Sequence, residues 1–184
     1  DTGKKNSPSL YYQITKLPNH QIDFMKAVIL KSFGSADNLV LSEIPPPKIK
    51  AHEVLIKTKA FSINPVDYKT RIGKSLANSL KNEDPLILGW DISGVIVETG
   101  NQTSIFKPGD EVFGMINLPG HGKAYAEYVA ASEDKLVLKP NNISHAEATA
   151  SCLAALTAWH ALVTHSKIKK DQRILIHAAA RGVG

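Results

Sequence analysis

Arg173-Ile174-Leu175-Ile176-His177-Ala178, followed by Ala179-Ala180-Arg181-Gly182-Val183-Gly184, is the stretch that decides the fold. The apolar run reads as a strand. The glycines after it mark a turn of the kind that delivers a pyrophosphate to the N-terminus of a helix. Such a unit buries its sheet only with that helix and at least one more parallel strand. Neither follows in the 184 residues, so the sequence is expected to be the first half of a larger enzyme.

Upstream of that turn the pattern is helical. Ser144 and Glu147 stand at capping-box spacing, where each side chain can satisfy an orphan amide of the other residue. The alanine- and leucine-rich stretch they open runs to about Thr164, long enough for a helix of some five turns.

Further back the chain is β-rich. Ala27 to Lys31, Leu39 to Glu43, Val54 to Ile63, Ile92 to Thr99, Glu111 to Phe113, Ala124 to Ala130 and Lys135 to Leu138 have strand composition. Gly100 and Pro108-Gly109 mark turns, and Pro45-Pro46-Pro47 is a stiff link unfit for a central strand. Many short strands at this spacing predict a compact barrel-like sheet. Inside it, Asn64 at N-cap, Pro65 at N1 and Asp67 at N3 predict a helix over residues 64–72 that stops at Gly73. On that reading Asn64 and Asp67 are caps, and aspartate at position 64 keeps the capping acceptor. The expected domains are 25–143 and 144–184, with residues 1–24 a polar leader or extension that carries no apolar signal core.

Composition narrows the function. With 43% apolar and 21% charged residues the chain can bury a globular core, and no apolar run approaches the roughly 20 residues that span a bilayer. The net charge of +5 comes from scattered lysines without an aromatic stripe, which argues against nucleic acid as a partner. One cysteine, Cys152, excludes a disulfide framework and a multi-cysteine zinc knot. Its neighbours Ala150, Leu153 and Ala154 make it a buried structural thiol rather than a nucleophile.

Four segments then carry a resemblance: Ser62-Ile63-Asn64-Pro65-Val66-Asp67-Tyr68 with its continuation to Gly73, Gly89-Trp90-Asp91-Ile92-Ser93-Gly94 with its continuation to Gly100, Lys107-Pro108-Gly109-Asp110-Glu111-Val112, and Ala155-Leu156-Thr157-Ala158-Trp159 ahead of His177-Ala178-Ala179-Ala180. Together they resemble the medium-chain dehydrogenase/reductase superfamily, and more narrowly its zinc-free quinone oxidoreductase branch, to which ζ-crystallin-like proteins and alkenal/enone reductases belong. The match runs from Met25 to Gly184. It implies a mixed α/β chain: a GroES-like β-barrel catalytic domain, then the truncated start of a Rossmann domain, with NADPH in the cleft between them. The implied reaction passes a hydride to a quinone or to the β-carbon of an α,β-unsaturated carbonyl. A homodimer for the full-length protein, a cytoplasmic location and no membrane partner complete the expectation.

The resemblance places Asn64 and Thr157 beside the nicotinamide. Tyr68 is a possible donor to a carbonyl oxygen, facing either the cleft or the barrel, whereas a mid-helix threonine such as Thr157 commonly back-bonds to a carbonyl one turn earlier. The loop residues Ala180, Arg181, Gly182 and Gly184 are the expected phosphate side. Of the usual glycine positions, the three here read Ala179, Arg181 and Gly184. Arg181 either blocks close approach of the backbone or turns its guanidinium outward toward a phosphate. Zinc-dependent relatives carry a cysteine near Ser62-Ile63-Asn64 and Gly-His-Glu at Gly89-Trp90-Asp91, and both are replaced here. The seven histidines show no H-E-x-x-H spacing, and His121 reads as a surface residue of a flexible loop, so no metal site is expected. Charge on the substrate oxygen must then be met by hydrogen-bond donors, which suits acceptors as electrophilic as quinones and enones. Two other roles stay open: a non-catalytic structural protein of the crystallin type, and an association module.

Overall fold

The computed structural model of the chain describes residues 22–180 and 182–183. Residues 1–21, most of the expected leader, and the loop positions Arg181 and Gly184 lie outside the described residues.

Alternating apolar residues place one face of each strand in a common core. Strand β1 (Met25–Leu30) pairs antiparallel with β2 (Leu39–Ile44), from Met25 opposite Ile44 to Leu30 opposite Leu39. The main sheet contains β3 (Glu53–Phe61), β4 (Asp91–Thr99), β5 (Glu111–Met115), β6 (Tyr128–Ser132) and β7 (Val137–Leu138), in the order β6-β3-β4-β5-β7 and antiparallel throughout. Single bridges, Ala27 to Ala126 and Ile29 to Ile87, carry β1 across the open side. Val54, Ile56, Trp90, Ile92, Ile96, Val112, Ile116 and Val129, each at most 1% exposed, fill the enclosed space. At roughly 1.5–3 kcal/mol for each large apolar side chain removed from water, this cluster supplies the main driving force for the barrel.

Helix α1 (Pro65–Arg71) leaves the end of β3 and is held at its far end by the Arg71 guanidinium, which donates to the Gly34 carbonyl. Gly73, at φ +85°, ends it as the sequence predicts. A short helix α2 (Ala77–Leu80), absent from the sequence reading, buries Ala77 and Leu80. Helix α3 (His145–Trp159) has the expected capping box: Ser144 N donates to Glu147 Oε2 at 2.8 Å and Glu147 N to Ser144 Oγ at 3.2 Å. It lies across β3, β4 and β5 and buries Ala148, Thr149 and Cys152 against them.

Three expectations are corrected. The strand forecast over 124–130 begins only at Tyr128, because the Ala124 and Tyr125 amides turn to the carbonyls of Gly89 and Leu88 at 3.2 and 3.1 Å. The helix forecast to Thr164 keeps α geometry only to Trp159 and continues as a π turn over His160–His165. The strand forecast at Arg173–Ala178 does not form: 173–176 has no regular structure and 177–180 is turn. A parallel strand exists only with a ladder partner, and none of the described residues supplies one. Leu175 is accordingly 81% exposed.

Candidate active site

The cleft begins where β3 ends. Ser62, Ile63 and Asn64 leave the sheet in extended conformation, and Pro65 starts α1 immediately afterwards. Asp67, at N3, turns its carboxylate back so that the Asn64 backbone N–H donates to its Oδ2 at 2.6 Å. The helix start is therefore capped by Asp67. Asn64 and Asp67 form the capping box that the sequence predicts, and the Asn64 amide also reaches beyond the helix: its Nδ2 donates to Asp91 Oδ2 at 2.8 Å and to Ser62 Oγ at 3.0 Å.

Asp91 organises this corner. It is wholly buried at the start of β4. Besides Asn64, its Oδ2 accepts from the Ser62 hydroxyl at 2.7 Å and from the Leu153 N–H of α3 at 3.2 Å. One carboxylate thus joins the end of β3 and the middle of α3. Gly89 makes its approach possible. At φ +92° it turns the chain into Trp90-Asp91, and a Cβ there would stand 2.5 Å from the Tyr125 ring. The Trp90 indole N–H donates to the Gly120 carbonyl at 2.7 Å and fixes the other side of the turn.

Burial sets the electrostatics. Desolvation raises the Asp67 carboxyl above its ordinary value, and the charge of Asp91 pushes the same way, while the Asn64 N–H and the Tyr125 hydroxyl partly offset it. The Tyr125 hydroxyl is held well above the usual phenol range by burial and then by Asp67. Cys152, on the barrel side of α3, is pushed up to about 12 by burial and by Asp91, so it is a neutral thiol at physiological pH.

The structure brings Asn64, Thr157 and Gly182 to one cleft of about 530 Å³, walled mainly by Val66, Leu153, Ala158, Leu162 and Ile176. Thr157 lines it while its hydroxyl donates to the Leu153 carbonyl at 2.7 Å, the back-bond expected of a mid-helix threonine. Tyr68, 48% exposed on α1, is not among the residues lining the cleft, and neither is Ala180. His121 lies at the surface of its loop as expected, with its Nε2 2.9 Å from Glu83 Oε1, and Lys123 Nζ lies 3.1 Å from Glu83 Oε2. Among the described residues no group of three His, Cys, Asp or Glu side chains is arranged to hold a metal ion. Nor is any described helix long and apolar enough to cross a membrane.

The sequence reading missed Asp91 as a site residue. It counted only as the replacement of a metal-ligand motif. The signal was present in Trp90-Asp91-Ile92, where an acid opens an apolar strand. A carboxylate in such a run is buried and must find donors.

Comparison with known proteins follows the same outline. Residues 50–141 match the alcohol dehydrogenase GroES-like domain. A 2-methylene-furan-3-one reductase of Solanum lycopersicum is 40% identical over 166 residues, 87% of this chain and 42% of that protein. The chloroplastic NADPH-dependent alkenal/one oxidoreductase of Arabidopsis thaliana is 39% identical over 166 residues, again 87% of this chain and 42% of that protein. Among solved structures, the quinone oxidoreductase from Coxiella burnetii superposes with a TM-score of 0.82 at 40% identity, covering 88% of this chain and 51% of that one. The chain spans about half the length of the relatives it matches.

Proposed function

Because the chain belongs to the alcohol dehydrogenase GroES-like family, we propose that the protein is an NADPH-dependent reductase of quinones or α,β-unsaturated carbonyls that works without zinc. The observation that carries the reading is the meeting of Asn64, Thr157 and the Gly182 turn in one mostly apolar cleft. The names of the tomato, Arabidopsis and Coxiella relatives point to the same chemistry.

The cleft suits a nicotinamide and a flat acceptor. Its walls are mainly aliphatic, and its polar side chains are few: Asn64 where β3 meets α1, Thr157 on α3 and His177 in the turn after Ile176. At Gly182 an added Cβ would meet nothing within 4 Å, which leaves space for close approach of a phosphate to the backbone. The bound nicotinamide supplies the hydride. This chain's contribution is to place the acceptor, since holding two reactants about 3–3.5 Å apart removes much of the entropic barrier. Leu153, Ala158 and Leu162 exclude water from that face. Tyr68 on α1 is the proposed donor to the substrate oxygen, although it is half exposed and does not line the cleft. What supports zinc independence is the sequence, which has Ser62-Ile63-Asn64 and Gly89-Trp90-Asp91 where zinc-dependent relatives carry ligands. The same reading carries a homodimer and a cytoplasmic setting, with sedimentation velocity and cell fractionation as their tests.

The deciding experiment follows NADPH consumption by the product of the full open reading frame, with a benzoquinone and with a 2-alkenal as acceptors, before and after exhaustive chelation. Turnover with either acceptor that survives chelation is expected. Stoichiometric zinc whose removal abolishes turnover overturns the metal-free part, and no consumption with either acceptor overturns the reductase reading.

A further inference from the structure

We propose that Asp91 is a positioning residue: its buried carboxylate turns the Asn64 amide so that Asn64 offers the cleft a hydrogen-bond acceptor and no donor. The inference deepens the reductase reading and rests on it for the identity of the ligand. The orientation itself follows from counting protons.

The Ser62 hydroxyl has one proton, and at 2.7 Å it is spent on Asp91 Oδ2. The Ser62 oxygen is then an acceptor toward Asn64, whose Nδ2 lies 3.0 Å away. The same Nδ2 stands 2.8 Å from Asp91 Oδ2, an ionisable oxygen with no proton to offer when charged. Both amide N–H bonds of Asn64 are therefore consumed inside the protein. The reverse orientation would set the Asn64 carbonyl oxygen against a carboxylate oxygen and against a hydroxyl whose proton is already used. Against the wholly buried Asp91 that arrangement sets acceptor against acceptor and leaves the carboxylate without one of its donors. Asp91 thus decides which end of the amide faces outward, and Oδ1, which also faces the Asp67 N–H in the capping box, is the one side-chain atom of Asn64 left for a ligand.

The chemical consequence is specific. A group held by Asn64 must itself be a donor, such as a sugar hydroxyl or a carboxamide N–H. A substrate carbonyl oxygen gaining negative charge is excluded, because it would meet a second acceptor. Asn64 is then a residue that orients a donor-bearing cofactor, and help for the developing oxyanion comes from elsewhere. Asp91 also binds the Leu153 N–H, one turn before Thr157, so the same carboxylate sets Asn64 relative to the helix that carries Thr157.

The test reads the amide directly. Side-chain amide proton exchange of asparagine is followed by 15N NMR on the chain, with exposed Asn101 and Asn141 as internal references. The Asn64 Nδ2 protons are expected to exchange at least about tenfold slower than those references. In Asp91→Ala they should move to the reference rate while the backbone amides of β3 and β4 stay protected. Protection unchanged in Asp91→Ala, or reference-like exchange in the wild type, overturns the proposal. Should Asp91→Ala fail to fold, Ser62→Ala decides: it leaves Asp91 in place, so one of the two Asn64 protons should stay slow and the other become fast, and any other pattern overturns the proposal. NADPH titration of the same samples separates the two ideas. Slow Asn64 protons without NADPH binding by the full open reading frame would keep the positioning role and remove the reductase reading.

Discussion

The corner where β3, β4 and α3 meet and the stretch after the π turn belong to the same cleft but are built on opposite terms. At the corner the polar groups are tied together through one oxygen of each carboxylate: Asp67 Oδ2 holds the Asn64 backbone, Asp91 Oδ2 holds the Asn64 side chain, Ser62 and Leu153, and Trp90 is tied to Gly120, while Asp67 Oδ1 and Asp91 Oδ1 stay buried without a partner. Beyond Ser166, Ile174, Leu175 and Ile176 are 46%, 81% and 47% exposed, although their composition is that of a core strand. The difference teaches that one wall of a binding cleft can be pre-organised by buried carboxylates alone. The other wall has no ladder partner among the described residues, since apolar composition does not make a ladder.

The two glycines that bracket the cleft give the largest contrast. Gly89→Ala forces a Cβ toward the Tyr125 ring from a left-handed backbone and should cost about 2–4 kcal/mol in urea unfolding, by strain and overpacking together. Gly182→Ala meets nothing within 4 Å and should stay within about 0.5 kcal/mol. Equal losses at the two positions would break the comparison.

Asn64→Asp comes next. A carboxylate at position 64 would stand against Asp91, replacing a contact of 2.8 Å that now joins donor to acceptor. A loss of about 2–3 kcal/mol is expected, because a donor is replaced by an acceptor against a buried carboxylate. This reverses what capping alone forecasts, namely stability near wild type. Thermal unfolding separates the two accounts.

Asp67 sharpens the comparison through pH. Its carboxyl is raised by burial, so the folded state binds a proton more tightly than the unfolded chain does. The cost of burying the charge is present above the folded titration point and is relieved as the pH falls through it. Wild type should therefore gain on Asp67→Asn as the pH is lowered from neutrality into the acid range, before general acid unfolding. A difference that is flat in pH would show that Asp67 is not strained by burial.

The smallest effect concerns Cys152, which carries its thiol up to about 12 on the pinned side of α3. Iodoacetamide near pH 8 should leave it unmodified in the folded chain and label it in denaturant, as mass spectrometry would show. Rapid labelling of the native chain would mean that α3 opens from the barrel.

The sequence by itself determined most strands of the barrel, the caps of both longer helices and the buried cysteine. Each of these depends on neighbours close along the chain: alternation over a strand, Ser144 with Glu147, Pro65 with Asp67. It also marked Asn64 and Thr157, through motif resemblance, as residues of one site. Tertiary structure alone decided what Asn64 does with its amide. Its partner Asp91 lies 27 positions away and becomes a neighbour only when β3 and β4 pair, so local chemistry shows the capping box with Asp67 and not the bond to Asp91. Tertiary structure also decided that Ile174–Ile176 is not a strand. A helix closes its hydrogen bonds within itself, whereas a strand borrows them from another segment, and no count of apolar residues along the chain can supply that partner.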